Sequence, residues 1–161
     1  MSQSEDLSRL LEGVRKSISS SGYGHLIGMQ VEKLEEGVGE VRIQVDTRLM
    51  HPQQIVHGGV IFTLADTAMS MAIISVVPAH TRFSTIEAKI NYLRPVRSGE
   101  LIAEAHFIQR GRTIAVLEST IYNINGEEKL PIARVMGTFH ISSSKHVPPQ
   151  AESSEYSVSD A

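Results

Sequence analysis

Between Val60 and Val77 the chain carries a single charge, Asp66, among residues that are otherwise apolar or small. A run of this length and evenness reads as a helix buried nearly all round. A carboxylate in such a rod loses several kcal/mol of hydration unless something compensates, so Asp66 is expected either at a cleft or beside groups that offset the loss. Gly58 and Gly59 precede the run and Pro78 follows it. Glycine permits close approach to the backbone, and the first N–H groups of a helix have no intrahelical partner and carry partial positive charge. The helix start therefore offers donors to a carbonyl oxygen or oxyanion. Asp66 lies two turns further on, about 12 Å along the axis and broadly on the same side.

The remaining composition sets limits. With 161 residues, 41% hydrophobic and 20% charged, the chain is read as one globular domain with an ordinary core. A net charge of −3 and no long basic run argue against nucleic-acid binding. The absence of cysteine removes disulfides, thiolate nucleophiles and cysteine zinc sites, and is compatible with a reducing compartment; a cytoplasmic location is expected. No basic segment followed by an apolar core opens the chain, so no secretory signal is expected. The 60–77 run contains Asp66 and lacks flanking basic clusters, which favours a buried helix over a membrane span. His25, His80, His106, His140 and His146 show no metal-ligand spacing, so no metal site is expected.

Taken in order, residues 1–21 place Leu7, Leu10, Leu11, Val14 and Ile18 at three- and four-residue spacing, an amphipathic helix that either covers a sheet edge or frays. Leu26 to Leu34 and Val38 to Asp46 read as a hairpin turning at Glu35-Glu36-Gly37. Residues 47–56 form a polar connection into the central helix. From Phe83 to Leu93 the pattern alternates, with Ile86, Ala88, Ile90 and Tyr92 on one face and Thr85, Glu87, Lys89 and Asn91 on the other. Leu101 to Gln109, Thr113 to Asn123 and Pro131 to Ile141 follow as an antiparallel meander. Residues 142–161, rich in serine and poor in large apolar groups, are expected to be a disordered tail outside a domain spanning 22–141. A single antiparallel sheet wrapped around the helix, an α+β arrangement, meets the burial demands of both. One sheet cannot enclose the helix completely, so its open side asks for a second copy, with Asp66 near the boundary.

His57-Gly58-Gly59 with Asp66, the Leu64-Ala65-Asp66-Thr67-Ala68 context, Asn91-Tyr92-Leu93-Arg94-Pro95-Val96, Gly111-Arg112-Thr113 and Gly137-Thr138-Phe139 closely resemble the hotdog-fold acyl-CoA thioesterases of the PaaI type, over residues 24–141. The resemblance implies hydrolysis of coenzyme A thioesters without a cofactor, in a homo-oligomer that is a dimer or, as a dimer of dimers, a homotetramer. It implies that Asp66 is the catalytic carboxylate, as general base or nucleophile, and that the backbone N–H of Gly58 or Gly59 polarises the thioester carbonyl. In the dimer, Asp66 of one subunit would face the helix start of the other.

By the same resemblance Thr85 falls where a hydroxyl holds the attacking water, and Ser70, one turn after Asp66, is a further candidate. His57 either orients the loop or takes part directly. His51 stands where many relatives carry an asparagine that contacts the thioester; a histidine retains a hydrogen-bond donor there. Lys89, Arg94, Arg97 and Arg112 match segments that approach the nucleotide and its phosphates, for which arginine's planar fork is suited. The alternative is a non-catalytic module of the same fold that binds acyl-CoA as effector or scaffold. A regulator of that kind would append a DNA-binding domain, and the segment before the core is too short for one.

Overall fold

The computed structural model describes residues 3–20, 22–79 and 81–142. The tail expected from Ser142 onward lies, after that first residue, outside the described residues, as do Ser21 and His80. The elements run α1 (Gln3–Ser20), α2 (Gly22–Ile27), β1 (Gln30–Glu35), β2 (Val38–Gln44), a 3-10 turn at Thr47–Leu49, α3 (Gly58–Ile74), β3 (Phe83–Tyr92), β4 (Glu100–Arg110), β5 (Ile114–Asn125) and β6 (Glu128–Ile141). Six strands form one sheet in the order β1-β2-β4-β5-β6-β3, antiparallel at every junction. The meander β4-β5-β6 stands as its alternation predicts. β3 is carried past it to the far edge, beside β6.

The sheet curls around α3. Leu101, Ala103 and Ala105 of β4, Ala115, Leu117 and Ile121 of β5, and Ala133, Val135 and Phe139 of β6 are buried on its inner side. They meet Leu64, Ala65, Ala68, Met69, Ala72 and Ile73 of α3, all buried. The small residues let the helix sit close to the strands, most of all at Gly39 of β2. A Cβ there would fall 2.6 Å from the Ala72 nitrogen and also against the Ala68 carbonyl.

Each end of α3 is tied to a strand connection. At its C-terminus Ser75 Oγ accepts from the Gly37 N–H at 2.8 Å, and Arg110 Nη2 donates to the Val76 carbonyl at 2.8 Å, placing a cation at the negative end of the helix dipole. At its N-terminus the Tyr92 hydroxyl donates to the Gly58 carbonyl at 2.9 Å. β3 therefore runs antiparallel to α3, with its last residue against the helix start.

The amphipathic N-terminal segment covers a sheet edge. Leu7, Leu11, Val14 and Ile18 pack against the core, and Arg15 donates from Nε to the Val31 carbonyl and from Nη2 to the Glu32 carbonyl, both at 2.6 Å. An edge strand presents unpaired carbonyls, and the guanidinium occupies two of them on β1.

Three expectations are corrected. The strand expected from Leu26 begins at Gln30, because 22–27 wind into α2, which Gly28 ends at φ +74 with the Met29 N–H bonded back to the Gly24 carbonyl at 2.8 Å. Helix α3 is not buried all round: Gly59, Phe62, Thr63, Asp66, Thr67, Ser70 and Ile74, at helical spacing, form a stripe that its own sheet leaves partly open. The alternation along β3 changes phase at a bulge between Thr85 and Glu87. Thr85 pairs with Phe139 and Ala88 with Gly137, both on the helix side, while Ile86 has no partner and stands 55% exposed. Thr85 thus shares the face of Ala88, Ile90 and Tyr92, not that of Glu87 and Lys89. One inserted residue re-aims the side chain.

Ser119, buried on the inner face of β5, has a hydroxyl with no hydrogen-bond partner among the described residues. Leaving a buried hydroxyl unpaired costs about 1–3 kcal/mol. Ser119→Ala is therefore expected to leave the fold intact and to stabilise it by up to about 1 kcal/mol, read as a higher urea midpoint at unchanged slope.

Candidate active site

His57 caps α3: its Nδ1 accepts the Gly59 N–H at 2.9 Å. Histidine is not among the common capping residues, but an unprotonated ring nitrogen at this position does the work of a serine oxygen. The cap has a chemical consequence. It engages the Gly59 N–H, whereas the Gly58 N–H, at the first helical position, has no bond among the described residues. Of the two glycine donors in the sequence motif, Gly58 is the one left open.

Gly58 is confined from the other side. A Cβ on it would lie 2.9 Å from the Tyr92 hydroxyl and 3.0 Å from the ring carbon that bears it, so a side chain here would push the tip of Tyr92 off the Gly58 carbonyl. Burial raises the pKa of the Tyr92 phenol, which keeps it a neutral donor to the Gly58 carbonyl.

Asp66 sits on the open stripe of α3, half-buried, with Ser70 one turn beyond it. The Thr85 hydroxyl donates to Asp66 Oδ1 at 2.8 Å. That bond, made possible by the bulge, answers the demand the sequence raised. The carboxylate is neither sealed in the core nor unaccompanied, and its second oxygen has no side-chain hydrogen bond among the described residues. β3 therefore grips α3 at both points of chemical interest, through a hydroxyl each time.

A pocket of about 330 Å³ opens at the helix start, with Gly58, His51, Tyr92 and Arg94 on its lining. The turn that carries His51 is tightly closed: the His51 N–H donates to the Ile55 carbonyl at 3.0 Å, and Gln54 adopts φ +58. His51 Nδ1 accepts the Gln53 N–H at 3.1 Å, so in the neutral ring the proton resides on Nε2. Arg94 Nη1 donates to the Pro131 carbonyl at 2.6 Å and Arg97 Nη1 to the Gln54 carbonyl at 3.1 Å, which sets both guanidiniums beside the same end of the molecule.

The other two cations lie elsewhere. Lys89 lies on the sheet face turned away from α3, in a depression with Glu87, Asn91 and Arg134. Arg112, exposed in the β4–β5 turn, is near the C-terminal end of α3, about 25 Å from Gly58 within one chain. The structure thus gathers His51, His57, Gly58, Gly59, Arg94 and Arg97 at the helix start and Asp66, Ser70 and Thr85 two turns along, and leaves Lys89 and Arg112 apart from both groups. Tyr92 is the residue that reading by sequence alone passed over as a site member. Its place at the end of an alternating strand gives no hint of a partner 34 positions away. Among the described residues no cluster of histidine, aspartate and glutamate is arranged to hold a metal ion.

Comparison with known proteins supplies the context for this arrangement. The sequence model of the thioesterase superfamily matches residues 53–129, from the His51 turn to the start of β6. A provisionally named esterase of Haemophilus influenzae is 35% identical over 111 residues, covering 69% of this chain and 80% of its own length. The medium/long-chain acyl-CoA thioesterase YigI of Escherichia coli is 25% identical over 134 residues, covering 74% of this chain and 84% of that protein. Among solved structures, a thioesterase from Haemophilus influenzae superposes with a TM-score of 0.74 at 30% identity, covering 84% of this chain and 94% of that one.

Proposed function

The chain belongs to the thioesterase superfamily and is a hotdog-fold thioester hydrolase, and on that premise we propose that it cleaves acyl-CoA thioesters at a site completed by two copies of the chain. The substrate class is supported by the acyl-CoA thioesterase among its relatives. The observation that carries the mechanism is Asp66 held by Thr85 on the one stripe of α3 that the sheet leaves open.

The Gly58 N–H donates to the thioester carbonyl oxygen, adding a fixed partial positive charge where negative charge develops. Asp66, through the oxygen that Thr85 does not hold, either removes a proton from water as the hydroxide adds to the carbonyl carbon or itself adds to that carbon. Collapse of the tetrahedral intermediate breaks the carbon–sulfur bond. In the first route coenzyme A leaves as the thiol with the proton Asp66 took from water, and the acid is released directly; in the second it leaves as the thiolate, and water then cleaves the mixed anhydride to free the acid and supply the proton.

One copy does not bring these groups together. Gly58 and Asp66 stand about 12 Å apart along one helix, too far for a single carbonyl to meet both. A second copy laid antiparallel against the open stripe sets the Asp66 of one chain opposite the Gly58 of the other. A dimer or dimer of dimers follows, in which the half-exposed Phe62 and Ile74 are covered.

Steady-state hydrolysis of a panel of aliphatic and aromatic acyl-CoAs by the purified protein, read as thiol release, tests the reaction; turnover of at least one class is expected, and none across the panel refutes it. Sedimentation equilibrium tests the assembly. A fully active monomer would overturn the shared site.

A further inference from the structure

The donor assigned to the carbonyl oxygen lies in loose backbone. Gly58 and Gly59 open α3, helix ends fray, and glycine has more conformational freedom than any other residue. A hydrogen-bond donor stabilises developing charge only when its direction is settled before the reaction begins. Something outside the helix start has to hold it.

Two peptide planes flank the Gly58 α-carbon, and together they set where its N–H points. The plane between His57 and Gly58 is anchored through its carbonyl, which accepts the Val60 N–H at 2.9 Å. The plane between Gly58 and Gly59 is held at both ends: its N–H donates to His57 Nδ1 at 2.9 Å, and its carbonyl accepts the Tyr92 hydroxyl at 2.9 Å. His57 belongs to the helix start and moves with it. Tyr92 does not: as the last residue of β3, paired with Ala133 of β6, it ties that plane to the sheet.

We infer that Tyr92 is a positioning residue, whose hydroxyl fixes the Gly58 N–H in the direction that polarises the thioester carbonyl. The inference rests on the thioesterase mechanism proposed above. The tie is stiff, because a tyrosine hydroxyl is carried on a rigid ring with two side-chain torsions and the backbone beneath it is locked in the sheet. Burial keeps the phenol protonated, so it donates throughout the neutral range.

Tyr92→Phe keeps the ring and deletes the tie. Losing an oxyanion donor outright costs about 10²- to 10³-fold in kcat, and here the N–H stays but wanders, so a fall of about tenfold is expected. KM should stay within about twofold, because the body of the substrate is held as before. A hydroxyl that merely braced the fold would lower the urea midpoint and leave kcat unchanged, and one that touched the substrate would raise KM; either result overturns the inference. Gly58→Ala breaks the same tie from the other side, since its Cβ would lie 2.9 Å from the hydroxyl. In that background Tyr92→Phe should cost less than about twofold more, and a further full tenfold loss would mark two independent effects and overturn the shared role.

A spectroscopic measurement separates this outcome from failure of the reaction. The ketone analogue of octanoyl-CoA, with a methylene in place of the sulfur and a ¹³C-labelled carbonyl, binds without being hydrolysed. Its carbonyl infrared band is expected to move to lower frequency on the natural protein and to move less on Tyr92→Phe. Bands that coincide on the two proteins overturn the inference, whether or not acyl-CoAs are turned over. If no acyl-CoA is turned over but the bands differ, the thioesterase mechanism falls and the hold of Tyr92 on the donor stands.

Discussion

Asp66→Asn is expected to remove nearly all thioester hydrolysis while the protein stays folded. The asparagine has the shape of the aspartate and keeps a carbonyl oxygen to accept the Thr85 hydroxyl, which donates at 2.8 Å in the natural protein, so the tie between β3 and α3 survives. What it loses is the negative charge and the capacity to take a proton or attack carbon. Positioned acid–base groups contribute about 10²- to 10⁴-fold, equivalent to roughly 3–5 kcal/mol of barrier. A fall in kcat of that size is expected with little change in KM, because the group acts on the reacting bond and not on the body of the substrate. Asp66→Ala should match it in kcat, while also releasing Thr85. Turnover within about threefold of the natural protein in both variants, measured on the best acyl-CoA of the panel, would remove Asp66 from the chemistry.

The prominence of Asp66 is legible in the sequence because a lone charge in an apolar helix is a local anomaly, visible in the spacing of a single element. The same holds for the meander, whose strands alternate without interruption and pair in chain order. What escaped reading has a common cause. The bulge at Ile86 shifts the phase of β3 by one residue, and alternation counts are blind to it because they assume a constant period. The first residues of β6, Glu128 to Leu130, are exposed, and with one apolar residue among them they show no alternation. They are strand because they pair with Asn123 to Asn125 across the Gly126 turn. Helix α2 is too short to show a period, and Leu26, which looked like the opening of a strand, is 66% exposed on it.

The site divides in the same way. Its residue types follow from local pattern, whereas the bonds that give them roles join distant positions. Thr85 meets Asp66, Tyr92 meets Gly58, and Arg15 meets the β1 carbonyls across separations that no local window spans. His57 lies between these cases: its neighbour is local, but a capping histidine is uncommon enough that chemistry competed with structure as the explanation. The open stripe on α3 was half-read. Composition showed an apolar rod too large for one sheet to cover, and only the fold showed that Asp66, Phe62 and Ser70 lie on the side left over.

Gly39→Ala should be strongly destabilising, and the reason separates it from Gly37 and Gly126. Gly37 and Gly126 hold φ of +75 and +63, and an added Cβ there meets at nearest the Phe107 ring at 3.5 Å or open space, respectively. The cost at those positions is the left-handed backbone alone, about 1–2 kcal/mol. Gly39 has no such strain. Its added Cβ would instead press on the Ala72 nitrogen at 2.6 Å, the Met71 Cβ at 2.7 Å and the Ala68 carbonyl, parts of α3 that cannot rotate away. The helix must move outward as a body. That movement loosens Ala68 and Ala72 against the sheet and, less than two turns nearer the helix start, the contact between Asp66 and Thr85. Overpacking a close-fitted core costs typically 1–3 kcal/mol where side chains can shift, so about 3 kcal/mol or more is expected where only backbone can yield. Against a total stability of about 5–15 kcal/mol this is a large fraction. Urea midpoints of Gly39→Ala, Gly37→Ala and Gly126→Ala compared side by side decide it. Gly39→Ala should fall well below the other two and also lose turnover, and equal midpoints for all three would show that α3 is not seated against β2 as closely as the fold requires.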